Sequence, residues 1–446
     1  MDEQPADDVG AAARAFPRSA RMSERATTEN ALRGPRWTHV IKRLNKTVQL
    51  RSIQHGGVTF LGDMERAEDC GLRVRRTATG RLRIDMRRAL PSHPRHDPRF
   101  HNLVRDLIEA ASSGAAPAPV VEVVRPDGRK TFAHDVATRA AQLAIAGVLS
   151  THVEPLLAPT SFAYRPGLSR DHAAFALRRL VRAGYCYATA GDVRKYFDNI
   201  HTHQIVNAIV ELLPSVSTGL LRFVASTTKA PILRRARHPD VTAGTAPTYS
   251  PPRGTILQGS VLGPLLSNIV GHEVFDAPFQ HVMRHDALLL RSSDDFVVLG
   301  RAPAAAREGL SVMRALAKAA GFELHPGKTR ENPVDLAKSE IVWLGRAISA
   351  SGVRTTRDAL DRAIERVQAA DPAEPGDRGV FVHLAYALAL EPWSRVGEVA
   401  VEIYERCGES RWLAFDVAMQ DVRPERSLLI RSFESRAAKI MLEVAA

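Results

Sequence analysis

The stretch 287–300, ALLLRSSDDFVVLG, constrains the fold of this chain more than any other. Apolar, β-prone residues before Arg291 and after Asp295 read as two strands joined by a tight polar turn. The turn carries two adjacent carboxylates, Asp294 and Asp295. Ser and Asp are ordinary turn residues, so a solvated hairpin tip is the plain reading. That reading leaves unexplained why two like charges stand side by side. A third carboxylate elsewhere in the chain decides between the two.

At 446 residues the chain is long enough for two or three domains with sizeable cores. Its 61 Lys+Arg against 49 Asp+Glu leave a formal charge of +12, which argues for an acidic partner, most simply nucleic acid. Cys70, Cys186 and Cys407 are too widely spaced for a disulfide framework or a zinc pattern, so a reducing compartment is expected. No apolar run is long enough to cross a bilayer, and the N-terminus lacks a signal layout. The expectation is a soluble, cytoplasmic protein without a membrane partner.

Residues 1–36, rich in Ala, Arg and Glu, read as a mobile tail. A basic extension follows over 37–115, in which Val74, Leu82 and Ile84 among many arginines suggest a strand pair with a basic face. That face is either solvated or in contact with RNA. The low-complexity stretch ASSGAAPAP, 111–119, suggests a boundary. Beyond it, strands and helices alternate: a hairpin turning at Pro126-Asp127-Gly128, a helix over DVATRAAQLAIAGVLSTHV, another over SRDHAAFALRRLVRAG, and a strand ending in GDVRKYFDNI. Helical stripes follow at Ile205, Val206, Ile209, Leu212 and Leu213 and at Leu262, Leu265, Leu266 and Ile269. After the Asp-Asp hairpin come a helix around 302–320 and a strand IVWLGRAIS. Residues 351–446 read as helices alone, opened by a capping box at TTRD with Leu360, Ile364 and Val367 on one face.

Asp192 stands where its strand runs out, about a hundred residues before the Asp pair. A strand-end carboxylate and hairpin-tip carboxylates on one sheet can converge on a point. Such a cluster suits Mg²⁺, which takes hard oxygen ligands; two ions roughly 3.5–4 Å apart stabilise the attacking and leaving oxygens of an in-line phosphoryl displacement. Metal charge would also remove the repulsion between Asp294 and Asp295.

The ordered series GDVRKYFDNI, GTILQGSVLGPLLSN, SSDDFVVL, LHPGKTR and VWLGRAIS resembles the palm motifs of reverse transcriptases. Upstream, RPDGRKTF, RAAQ and SFAYRPGLS are similar to fingers motifs of group II intron, retron-like and defence-associated bacterial enzymes, so the resemblance spans about 120–350. It implies an α+β right-hand polymerase: fingers and a ferredoxin-like palm over 116–350, then a helical thumb over 351–446. By position it implies catalytic and metal-binding roles for Asp192, Asp294 and Asp295, with the Val193 carbonyl as a further metal ligand. In the family the first two aspartates ligate the metals and the third supports the primer end. Phe197 falls at the aromatic gate against a ribose 2′-hydroxyl, Gln258 and Gly259 at the incoming nucleotide, and Lys328 near its triphosphate. Arg129, Lys130 and Arg139 are candidate triphosphate or template contacts, with plain surface charge as the alternative. The implied cofactor is two Mg²⁺ ions, with Mn²⁺ as a substitute. The implied partners are dNTPs, DNA product and an RNA template, including a dedicated structured non-coding RNA, with room for an oligomer or a protein partner.

The chain departs from the family pattern in three places. Ser292-Ser293 stands where Tyr-Ala is usual before the Asp pair, Leu257 and Gly263 replace the commoner Pro and Ser, and residues 1–110 do not resemble an intron-protein N-terminus. His201 and His203 lack metal-site spacing, no zinc-endonuclease cysteine pairs follow, and Trp393 and Trp412 suit helix core better than base stacking. The leading expectation is an RNA-directed DNA polymerase, set in antiphage defence with a non-coding RNA. Alternatives are an intron-type mobility enzyme or maturase, template-independent or protein-templated nucleotide addition, and a non-catalytic RNA-binding scaffold.

Overall fold

The runs flanking the two aspartates pair as an antiparallel hairpin, Ala287–Ser292 with Asp295–Gly300. The computed structural model describes residues 39–40, 74–76, 82–84, 98–124, 130–134, 136–233, 248–249, 254–373, 377–388, 391, 393–422 and 430–438. The expected tail over 1–36, Cys70 and the turn at 126–128 lie outside them. Two compact units result, Met1–Leu156 with Ile200–Ile269, and Leu157–Asn199 with Val270–Ala446. They cut across the boundaries expected at 115 and 350. Helix Pro98–Ser112, assigned from composition to a separate extension, packs on helices Val136–Val153 and Thr218–Thr228 of its own unit. The stretch 111–119 is therefore a connection within one unit.

In the first unit, Val136–Val153 is buried on nearly every side, as a helix with Ala, Leu, Ile and Val all round must be. A sheet runs in the order Lys130–Ala133, Val120–Val124, Ile232–Leu233, Thr248–Tyr249. Leu257 closes a small apolar cluster with Val120, Ala230 and Ile232. The arginine-rich strands Val74–Arg76 and Leu82–Ile84 pair antiparallel as the sequence predicts.

The second unit is organised by a four-stranded antiparallel sheet in the order Arg330–Asp335, Tyr187–Asp192, Asp295–Gly300, Ala287–Ser292. Counted along the chain this is 4-1-3-2, the order of a split β-α-β sheet. Helix Pro303–Ala319 packs on one part of it, where Thr189 Oγ1 donates to the Ala306 carbonyl. Helix Arg170–Arg182 contributes Ala173, Ala174, Phe175, Leu177 and Leu180 to a core shared with Leu290, Val297 and Leu299. Gly191 is directly opposite Phe296, and a Cβ there would stand 2.4 Å from that ring. No other residue fits.

Two local expectations need correction. IVWLGRAIS is a hairpin, not one strand: Ile341–Trp343 turns back into Arg346–Ile348, and Val353–Thr355 adds a third strand. The cause is Leu344-Gly345, whose φ values of 53° and 75° give the doubly left-handed turn that matches strand twist. The cap of helix Arg357–Gln368 is Thr356, whose Oγ1 accepts from the Ala359 amide; Thr355 belongs to the preceding strand, and no capping box forms on it. Behind it, Leu360, Ile364 and Val367 are buried as expected, in a core with Phe381, Leu384, Ile403 and Phe415 from the following helices. No helix among the described residues is long and apolar enough to cross a membrane.

Candidate active site

The central strand ends at Asp192, and the hairpin strand beside it begins at Asp295; the two residues are Cα partners across the ladder. They continue the rows Ala188–Ala190 and Leu299–Val297, so their side chains emerge on one face at the sheet's end. Directly opposed like charges destabilise a sheet, and opposite Cβ atoms stand about 4.5–5.5 Å apart. Asp294 follows at the turn, its carbonyl accepting from the Val193 amide at 3.0 Å. Sequence spacing of about a hundred residues has become one cluster.

The charges register this crowding. Burial, then Asp294 and Asp192, push the Asp295 carboxyl up to about 6. Burial and Asp192 raise Asp294 as well, against its own backbone amide and Ser293. Lys328 Nζ, from the turn after Leu324, lies 2.8 Å from Asp192 Oδ2. That hydrogen bond holds the ammonium above its ordinary value, although the lysine side chain is 58% exposed.

A buried ion pair lies behind the hairpin. Arg291, in the otherwise apolar strand, donates from Nε and Nη2 to Asp276 at 2.7 and 2.6 Å, from Nη2 to Ser161 Oγ at 3.0 Å, and from Nη1 to the Ser293 carbonyl at 3.2 Å. Burial lowers the Arg291 pKa, but the Asp276 carboxylate outweighs it and keeps the guanidinium charged. Asp276 ends a π-helical segment, His272–Asp276, a kind of insertion frequent at functional sites. At Gly271 a Cβ would meet the guanidinium at 2.5 Å, so the pair needs glycine there. Ser293 has φ 64°, costing roughly 1–2 kcal/mol for a residue with a Cβ. The Arg291 hydrogen bond to its carbonyl helps hold that turn. Neither Arg291 nor Asp276 is among the candidates read from sequence; the visible signal was an arginine interrupting LLL and SS.

Phe197 and Tyr196 separate cleanly. Tyr196 is 2% exposed, packed between Phe275 and Phe322, and its hydroxyl is pushed upward by burial. Phe197 is only half-buried, and Tyr164 lies edge-on to it at 6.4 Å between centroids. Tyr164 is 59% exposed at φ 58°; burial of its hydroxyl, and behind that the charges of Asp294 and Asp295, raise its pKa against a lowering contact from Ser293.

Gln258, Gly259, Lys130 and Arg139 belong to the first unit. Gln258 accepts the Phe132 amide on its carbonyl at 2.7 Å, and Gly259 has φ 108°. Gln142 holds the same loop through the Ser260 hydroxyl and the Val261 amide. Lys130 pairs with Glu122 at 3.3 Å on the surface. Arg139 is fully buried, which excludes a solvated face for it. Arg129 lies outside the described residues. His201 opens helix Thr202–Leu212, its amide donating to Gln204 Oε1 at 2.8 Å, in keeping with a turn residue. Trp412 packs on the helical core, edge-on to Tyr404; the Trp393 side chain lies outside the description.

Among the described residues no group of three His, Cys, Asp or Glu side chains is placed to hold a metal ion by itself. Mg²⁺ rarely has one: it binds through one or two carboxylates and completes its shell with water and substrate phosphates. The paired Asp192 and Asp295, with Asp294 beside them, supply that donor chemistry, and burial together with the neighbouring carboxylates raises Asp294 and Asp295. The residues fit a divalent ion. Asp192, Asp294 and Asp295 would hold it, and it would supply charge stabilisation at a phosphoryl group.

A carboxylate cluster at the end of an antiparallel sheet, backed by helices, is a polymerase-like α+β arrangement. Residues 129–348 match the family described as reverse transcriptase (RNA-dependent DNA polymerase). This stretch is a reverse transcriptase domain, and the chain is an RNA-directed DNA polymerase, a nucleotidyltransferase. No curated protein matches the chain. Among solved structures it is similar to Candida albicans telomerase in complex with a fragment of telomeric RNA, at 9% identity and TM-score 0.43, over 83% of this chain and 71% of that one. It is also similar to an apo telomerase of Candida tropicalis truncated of its C-terminal domain, at 13% identity and TM-score 0.38, over 57% and 60%.

Proposed function

We propose that Asp192, Asp294 and Asp295 carry deoxynucleotide transfer with two Mg²⁺ ions, that the 4-1-3-2 sheet is the palm, and that the helices after residue 351 are the thumb. The observation that carries this reading is the cross-strand pairing of Asp192 with Asp295, with Lys328 on the same carboxylate. In it Val193 offers its carbonyl to a metal, Lys328 meets the developing charge on the triphosphate, and Phe197 borders the sugar. Gln258 and Gly259 receive the nucleotide. The test is primer extension by the purified full chain on an RNA template, with each dNTP set and with Mg²⁺ or Mn²⁺. No incorporation under any of these conditions would return the chain to an RNA-binding scaffold.

For its setting we infer a stand-alone bacterial enzyme of the cytoplasm, acting in antiphage defence with a structured non-coding RNA as template. The basis is the departure from intron-type proteins over residues 1–110 and the Ser292-Ser293 substitution. Sequencing the RNA that co-purifies with the chain, together with the DNA it makes, tests this directly. A single structured RNA copied reproducibly supports the reading; intron ends support mobility, and product without template sequence supports untemplated addition.

A further inference from the structure

Between the hairpin turn at Leu344-Gly345 and the helices Arg357–Gln368 and Arg378–Leu388 lies a cavity of about 150 Å³. It belongs wholly to the second unit. Arg170, Arg362, Arg366 and His383 line it, with no acidic side chain among its lining residues. Arg362 and Arg366 stand one helical turn apart, a like-charge spacing that destabilises a helix on its own. Neither they nor Arg170 form an ion pair within 4.0 Å among the described residues. The nearby carboxylate, Asp171, is engaged by Arg346, whose Nε and Nη2 lie 2.7 and 2.6 Å from Oδ1. Arg346 is itself buried and also donates to the Ala387 carbonyl. Asp361 and Glu402 are committed to Arg357 and Arg406, and Glu391 to the Thr355 amide; Asp358 and Glu365 share the helix with Arg362 and Arg366 but do not line the cavity.

Two of the four, Arg170 and His383, are disfavoured in their charged forms. Burial and then the charge of Arg346 lower Arg170, and burial followed by Arg170 and Arg366 lowers His383. Three guanidinium groups around one cavity call for an anion, their forks match the oxygens of phosphate, and a neutral His383 can donate a hydrogen bond to it. Size narrows the choice. At about 150 Å³ the cavity is well under the roughly 300 Å³ at which drug-sized ligands begin. A single tetrahedral oxyanion suits that size.

We propose that Arg170, Arg362, Arg366 and His383 form a binding site for a single phosphate group. The phosphate is either carried on a nucleic-acid backbone or free in solution, and the site is independent of the carboxylate cluster. Arg362 and Arg366 are exposed on the helix surface, so Arg362→Gln with Arg366→Gln preserves the buried core. Two measurements on the full-length chain, wild type and double variant, distinguish the sources. One is the melting temperature with inorganic phosphate against chloride at equal ionic strength. The other is affinity for a labelled RNA–DNA duplex across a salt series.

A backbone phosphate predicts a fall of about three- to thirty-fold in duplex affinity and a log–log salt slope shallower by about one. A free phosphate predicts a phosphate-dependent rise in melting temperature that the variant loses, with duplex binding unchanged. Arg366→Lys, which keeps the charge, should retain part of either effect. If the double variant folds and neither phosphate stabilisation nor duplex affinity differs from wild type, the cavity is not a phosphate site. Since neither measurement requires nucleotide transfer, an inactive polymerase would leave this result standing.

Discussion

Lys328 Nζ lies 2.8 Å from Asp192 Oδ2, so an exposed ammonium neutralises the one aspartate of the cluster that the hairpin does not carry. In the proposed reaction the lysine passes from this carboxylate to the substrate phosphate. Lys328→Ala is expected to lower kcat for dNTP incorporation by about 10²–10³-fold, the usual cost of removing one donor from a developing charge. Lys328→Arg keeps the charge and should retain part of the rate. Single-turnover extension by both variants checks this; an unchanged kcat in Lys328→Ala removes the lysine from the reaction.

The raised carboxyls make stability depend on pH with a definite sign. Asp295 has a folded-state value of about 6 against an ordinary 3.8, so folding favours its protonated form. Its contribution is complete below about pH 4 and is lost as pH rises through about 6. Asp295→Asn should therefore stabilise the metal-free protein at pH 7.5 by roughly 1–2 kcal/mol, allowing for solvent screening, and not at pH 4. Asp294→Asn should act in the same direction, and both should abolish incorporation. Thermal melts in chelator at the two pH values test the first point. Primer extension tests the second.

The buried pair Arg291–Asp276 offers a way to separate folding from positioning. Removing one partner strands a charge in the interior, so Arg291→Met should cost about 3–5 kcal/mol. Arg291→Met with Asp276→Leu removes both charges and should recover most of that stability. It cannot restore the hydrogen bond to the Ser293 carbonyl, so incorporation should stay low although the protein melts normally. Full activity in the double variant would falsify the positioning role.

Tyr196 and Phe197 should respond in opposite ways to truncation. Tyr196→Ala empties a fully buried site and is expected to cost about 3–5 kcal/mol of stability, by analogy with other large aromatic truncations. Phe197→Ala, at a half-buried ring, should leave the fold intact and admit ribonucleotides, because a steric wall is removed and no hydrogen bond is lost. Phe197→Tyr should stay selective. Competing dNTP and rNTP incorporation, beside melting curves, gives the answer. Continued rejection of ribonucleotides by an active Phe197→Ala places the gate elsewhere.

Much of this protein is local and therefore legible in the chain. The apolar runs around Asp294-Asp295 dictate a hairpin, and the 3.6-residue stripe Leu360–Ile364–Val367 dictates a helix and its buried face, because periodicity follows from backbone geometry. Motif order carried the carboxylates and Lys328 to one place before any coordinate did. What sequence left open was decided by contacts between distant segments. The choice between Tyr196 and Phe197 rested on Phe275 and Phe322, far along the chain. Arg291 was an unexplained charge in a strand until Asp276 and Ser161 stood beside it. Leu344-Gly345 reversed what reads as one strand, since neither left-handed residue breaks the apolar pattern. The arginine cavity exists only because a hairpin and helices from distant parts of the chain bring together arginines that read in sequence as ordinary surface charges. Local pattern sets which elements form; burial, charge pairing and enclosure depend on which elements meet, and only the tertiary structure holds that information.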